Sequence, residues 1–247
     1  MLREAIGAAL ERRGWRKLAV DEHTGLEPEF LELHARCAEF TMTSLERMYA
    51  LYKATEYVVS ADIPGDIVEC GVWRGGSSML SALTLKRLGD EQRSIHLYDT
   101  FEGMSEPDQR DVTFSGDAAA PRWEASNAGE VNEWCYSPLE EVEANMLSTG
   151  IDRDRVRFVK GKVEDTLPAT MPERISLLRL DTDWYESTYH ELSHLFPLLS
   201  AGGVLIIDDY GHWAGAREAT DRYLAEVGSS ILLNRIDYTG RIGVKAA

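Results

Sequence analysis

The sequence predicts an α/β domain whose mostly parallel sheet carries helices on both faces. Three observations support this. Short apolar runs at 66–70, 94–98, 156–159, 175–180 and 204–207 alternate with stretches of helical periodicity. Parallel strands need such crossovers, and burial on both faces makes them near-continuous apolar runs. The chain has 247 residues, 44% hydrophobic and 28% charged, which suits one soluble domain with a sizeable core. Acidic residues follow several of the apolar runs, and ligands in such sheets bind at the carboxyl ends of the strands.

Taken in order, residues 1–40 read as an N-terminal helical arm with a loop around 21–28, suited to packing on a partner subunit of a homo-oligomer. Residues 41–247 form the main domain. Thr43-Ser44-Leu45-Glu46 fits a capping box, Thr43 as N-cap and Glu46 at the third helical position, for a helix to about residue 61. Strand 66–70 leads through a glycine turn at 71–76 into a helix at 77–88. Strand 94–98 ends at Asp99. The stretch 100–136 lacks periodicity, and a loop of that length is usually functional. Ser137-Pro138-Leu139-Glu140 starts a helix that Gly150 ends. Strand 156–159, strand 175–180, helix 187–199, strand 204–207 after Gly202-Gly203, and helix 215–227 follow. Residues 231–244 read as a terminal hairpin.

The net charge of −16 disfavours nucleic acid and anionic membranes as partners. Cys37, Cys70 and Cys135 are scattered, which suggests a reducing compartment and neither a disulfide framework nor a zinc site. No signal segment or membrane-length apolar run is evident, so a cytoplasmic protein is expected.

The turn Glu69-Cys70-Gly71-Val72-Trp73-Arg74-Gly75-Gly76-Ser77 lets backbone approach a ligand, but its spacing is not that of a pyrophosphate cradle. Asp99, at the end of the next strand, can accept from two ribose hydroxyls. Together these suggest an adenosine ligand without a diphosphate. S-adenosylmethionine fits, with Glu69 facing its cationic end. The plain structural alternative is a tight turn with Asp99 as a cap.

Asp181-Thr182-Asp183 and Asp208-Asp209 end two successive strands. Asp181, Asp208 and Asp209 can supply three carboxylates to one magnesium ion. A single aspartate after a strand is commonly a cap. Two acidic pairs would repel unless a cation neutralised them. A metal-held hydroxyl loses its proton more easily, and Asp181 or Asp183 could take that proton. A strand ending in D-x-D and another in D-D also resemble haloacid-dehalogenase-like phosphatases. That chemistry needs a Lys or Arg between the motifs, and residues 184–207 contain neither.

Four ordered motifs, Glu69–Ser77, Tyr98-Asp99-Thr100-Phe101-Glu102-Gly103-Met104, Leu180–Thr188 and Ile207-Asp208-Asp209-Tyr210-Gly211, resemble the macrocin O-methyltransferase family. The similarity runs from about residue 41 to 222. It implies a Rossmann-like class I methyltransferase, with a seven-stranded sheet whose last strand is antiparallel. It implies transfer of a methyl group from S-adenosylmethionine to a sugar hydroxyl of a glycosylated antibiotic-type natural product, with Mg2+. Glu69, Gly71 and Ser77 would line the methionine end, Asp99 the ribose, and Gly161, Val163 and Glu164 the adenine. Met42 and Thr43 would cover the cofactor. Asp181, Asp208 and Asp209 would hold the metal, with Asp181 also proposed as base. Catechol methyltransferases use a Lys near the position of Trp184, and that role is vacant here. A catechol-like phenol is the alternative acceptor. Residues 102–136 would be a mobile lid whose aromatics stack on substrate, with Tyr210 and His212 near it. His190 and His194 share a helix but lie a helix beyond the rim, which suits solvent exposure better than zinc.

Overall fold

A computed structural model describes residue 21 and residues 23–246. The part of the expected arm at residues 1–20 lies outside the described residues.

The described chain opens with α1 (Pro28–Cys37) and α2 (Leu45–Ser60), then β1 (Asp66–Cys70), α3 (Gly76–Leu88) and β2 (Ile95–Asp99). A long connection holding α4 (Ala120–Ala125) leads to α5 (Leu139–Ser148) and β3 (Val156–Lys160). Then come α6 (Val163–Thr166), β4 (Ile175–Leu180), α7 (Tyr185–Leu195), β5 (Leu199–Ile207), α8 (Ala214–Glu226), β6 (Asn234–Arg235) and β7 (Arg241–Val244).

The seven strands lie in the order β3-β2-β1-β4-β5-β7-β6. Strands β1 to β5 pair in parallel, and β7 runs antiparallel to both β5 and β6. The strand order reverses between β1 and β4, and a crevice opens at such a switch point.

Period-two alternation sorts the strand side chains onto two faces. Ile67, Leu177 and Ile206 join one buried cluster with Phe30, Met48 and Leu80 from α1, α2 and α3. Val68, Leu178 and Leu205 join the other with Leu192 and Tyr223 from α7 and α8. Phe30, Leu33 and Cys37 of α1 therefore sit in the domain's own core, so the arm boundary at residue 40 is no break in packing for residues 28–40.

Several element bounds shift by a residue or more from those expected, and two of the shifts bear on the site or the sheet. The N-cap of α2 is Ser44, whose Oγ accepts from the Arg47 N–H at 3.2 Å, because Thr43 is engaged elsewhere. Strand β5 starts at Leu199 and runs through Gly202-Gly203 instead of beginning after a turn there. His190 and His194 are half-buried and bond to backbone carbonyls of Leu167 and His190, which is a structural role and not solvent exposure.

Candidate active site

The ladder extends one residue past each strand end and brings four loops to one edge. Asp181 N–H donates to Cys70 at 2.8 Å and Asp208 N–H to Leu180 at 2.9 Å. Gly71 N–H donates to Tyr98 at 2.9 Å and Gly161 N–H to Asp99 at 3.0 Å. Gly71 has φ +80°, and a Cβ there would collide with the Asp181 carbonyl. Only glycine lets the first turn lie this close to the acidic loop.

A cavity of about 400 Å³ occupies this edge. On the turn side it is lined by Gly71, Ser77 and Asp99, with Gly161, Val163 and Glu164 beyond them. Met42 and Thr43 flank it, and Asp181, Asp183, Asp208 and Asp209 form the opposite wall. Glu69 is the exception among the expected site residues. It is buried behind the wall, where it accepts from Ser78 Oγ and pairs with Arg179. The Asp99 carboxylate accepts from the N–H groups of Val72 (2.7 Å), Trp73 (3.1 Å) and Phe101 (2.7 Å). It thus shapes the turn as well as lining the cavity. Burial raises its pKa, and those three bonds oppose the rise.

Arg179 was not singled out by the motifs, yet it organises the acidic wall. It stands on β4 opposite Glu69 of β1 in the parallel register, and both point to the α2 face. Its guanidinium pairs with Glu69, lies 2.8 Å from Asp181 and 2.8 Å from Asp208, and donates to Thr43 Oγ1 at 3.0 Å. This last bond is why Thr43 does not cap α2. Burial disfavours charge on Arg179, but Asp181, Asp208 and Glu69 outweigh it and raise its pKa. Arg47 of α2 pairs with Asp208 and, at 3.0 Å, with Asp237. Two internal cations therefore do part of the neutralising expected of a metal alone. A charged residue inside the otherwise apolar run 175–180 was the available signal for Arg179.

Asp181, Asp208 and Asp209 each offer an oxygen, all within 4.8 Å of one another. Among the described residues Asp209 Oδ2 is buried without a hydrogen-bond partner, and Asp208 Oδ1 touches Arg179 without an aligned bond. Under-satisfied carboxylate oxygens in one cluster suit a hard divalent cation. Burial and the neighbouring carboxylates raise Asp209, and burial likewise raises Asp181. Asp183 adopts φ +68°, a left-handed backbone uncommon outside glycine, which turns it into the cavity beside Asp209. Burial and the Asp181 charge lift it to about 7 against its contacts with Asp209 and Trp213.

The segment expected as a mobile lid is pinned at several points. Trp184 is buried, donates to the Ser105 carbonyl at 2.9 Å, and packs edge-on against Trp134 and Trp213. Asp111 reaches back to accept the Tyr185 N–H at 2.9 Å, capping α7 from within this segment. Gly215 leaves the space that Asp111 fills. His212 lines the cavity, whereas Tyr210 points away and donates to Asp221 at 2.7 Å.

None of the described helices is long and apolar enough to cross a membrane. A family model described as macrocin-O-methyltransferase matches residues 32–242. The chain is 39% identical over 220 residues to an 8-demethyl-8-(2,3-dimethoxy-alpha-L-rhamnosyl)-tetracenomycin-C 4'-O-methyltransferase of Streptomyces olivaceus, covering 89% of this chain and 81% of that protein. It is 35% identical over 202 residues to a mycinamicin III 3''-O-methyltransferase of Micromonospora griseorubida, covering 81% and 76%. Among solved structures, that of the O-methyltransferase NovP superposes with TM-score 0.72 at 31% identity, covering 84% of this chain and 83% of that one.

Proposed function

We propose that this chain, which belongs to the macrocin O-methyltransferase family, moves the methyl group of S-adenosylmethionine to a sugar hydroxyl of a glycosylated natural product. The observation that carries this reading is the cavity itself, which sets the glycine turn and Asp99 opposite the aspartate wall. The named activities of the two relatives, both on glycosylated compounds, support the acceptor class.

Asp181, Asp208 and Asp209 would hold Mg2+. When bound, it supplies positive charge that positions a hydroxyl and makes it more acidic. Asp183 is the favoured base. Asp181 is tied to Arg179 and belongs to the ligand set, while Asp183 is free of both duties. Asp183 takes the hydroxyl proton, the oxygen attacks the methyl carbon, and the carbon–sulfur electron pair stays on sulfur. S-adenosylhomocysteine leaves. Gly71, Ser77 and Met42 would enclose the methionine end, and Gly161, Val163 and Glu164 the adenine. The tryptophan-anchored lid excludes water from the reacting atoms.

Asp208→Ala and Asp183→Asn should each abolish methylation of a glycoside while calorimetric binding of S-adenosylhomocysteine persists. Full activity of Asp208→Ala, or of the wild type in excess chelator, would remove the metal from the mechanism. Absence of any heat with S-adenosylhomocysteine would remove the donor.

A further inference from the structure

The cavity is small for what it must admit. About 400 Å³ lies near the lower end of small-molecule sites. It must take adenosine, methionine and the reacting sugar, so the rest of a glycosylated substrate has to lie across the mouth. At that mouth three segments deliver three rings. Phe114 comes from the lid, His212 from the loop after β5, and Tyr238 from the β6–β7 hairpin. The ring centroids of Phe114 and His212 are 6.0 Å apart, those of Phe114 and Tyr238 6.3 Å, and those of His212 and Tyr238 6.0 Å. All three pairs are edge-to-face.

His212 and Tyr238 belong to the cavity wall, and Phe114 continues the surface outward. Phe114 is 72% exposed and Tyr238 54%. A single exposed phenylalanine is ordinary. Three rings from distant segments, joined to a cavity and held rigidly, are not. Phe114 N–H donates to the His212 carbonyl at 2.8 Å, and Tyr238 Oη lies 3.2 Å from His212 Nδ1. Gly211 N–H donates to Thr239 at 2.9 Å, and any Cβ on Gly211 would collide with the Tyr238 carbonyl. The platform is therefore assembled before any ligand arrives, which spares the ordering cost of binding.

We infer that Phe114, His212 and Tyr238 form a subsite for a flat, ring-bearing aglycone whose sugar reaches down to the aspartates. This rests on the glycoside reading above and deepens it. Aromatic faces favour apolar ring systems by offset or edge contacts. A simple alkyl glycoside would reach the aspartates but leave the platform uncovered.

The test compares 4-methylumbelliferyl α-L-rhamnoside with methyl α-L-rhamnoside as acceptors. Wild type should prefer the aryl glycoside in kcat/KM by roughly tenfold, mainly through KM. Phe114→Ser should reduce that ratio several-fold, and Phe114→Tyr should restore it. Phe114 is exposed, so neither change threatens folding. An unchanged ratio in Phe114→Ser, or no aryl preference in wild type, would overturn the platform and leave the methyltransferase reading intact. If neither glycoside is methylated, the rhamnoside acceptor fails separately. The platform is then decided by calorimetry of the aryl glycoside on S-adenosylhomocysteine-bound protein. Binding weakened by Phe114→Ser supports it, and equal or absent binding overturns it.

Discussion

Arg179→Met tests whether the acidic wall is held by an internal cation. Arg179 and Glu69 are each 3% exposed at the side chain, and Asp208 is 2% exposed. Methionine fills similar space, so the change removes charge more than volume. Removing one partner of a buried pair leaves an uncompensated charge and costs about 3–5 kcal/mol. For a chain of this size each kcal/mol lowers Tm by roughly 2–4 °C, so the loss should be about 6–20 °C. Adding Glu69→Gln then removes one of the stranded carboxylates. The double variant should recover part of the loss, because among the described residues Glu69 has only Arg179 as an ionic partner and Ser78 as a further hydrogen-bond donor. Thermal unfolding followed by circular dichroism, without divalent cations, is the assay. A double variant no more stable than Arg179→Met would show that Arg179 acts through packing, and the charge argument would fail.

Gly71→Ala should abolish S-adenosylhomocysteine binding in calorimetry, because a Cβ at φ +80° strikes the Asp181 carbonyl and forces the turn and the acidic loop apart. Retained binding would show that this turn does not shape the donor site. Asp111→Ala removes the side-chain cap of α7 and should cost about 1–2 kcal/mol of stability. It should also speed proteolysis within residues 102–136, and an unchanged digestion pattern would deny the pin. Glu191 on α7 is fully buried, and burial raises its pKa despite a bond from Thr182 at 3.2 Å. A raised folded-state pKa gives stability that is present below the unfolded value and lost as pH rises toward the folded one. Glu191→Gln should therefore flatten the decline in Tm between acidic and neutral pH. A wild-type profile in the variant would mean another group sets that slope.

β1, β2 and β4 were legible because they are buried on both faces and so read as near-continuous apolar runs, whereas the edge strand β3 exposes Arg157 and Lys160. β1 and β4 match their expected bounds, as 66–70 and 175–180 in both readings. Helix ends were less legible, because capping depends on what else a hydroxyl can reach. Thr43 and Ser44 look alike in sequence, and contacts distant in sequence separate them: Arg179 of β4 engages Thr43, while Ser44 donates to Asp237 at 2.8 Å. The Gly202-Gly203 pair reads as a turn locally. In the sheet its backbone is held by Lys245, to which Gly202 N–H donates at 2.8 Å.

The aspartates were legible as a group because strand ends share one edge, but their division of labour was not. Charge repulsion alone predicts one demand, an external cation for the whole cluster. The register of β1 on β4 splits that demand. Arg179 and Arg47 answer Asp208 and, through Arg179, Asp181 and Glu69. Asp209 and Asp183 are left leaning on each other, with Asp209 Oδ2 buried and unpartnered among the described residues. An ion pair between protein groups forms on folding, so this half of the wall is partly neutralised, two guanidiniums among four carboxylates, before any metal arrives. The need for positive charge that no internal cation among the described residues answers is on the Asp209 side, next to the candidate base. A cation recruited there would complete the site more than it would hold the fold, which is the arrangement expected where the metal serves the substrate hydroxyl.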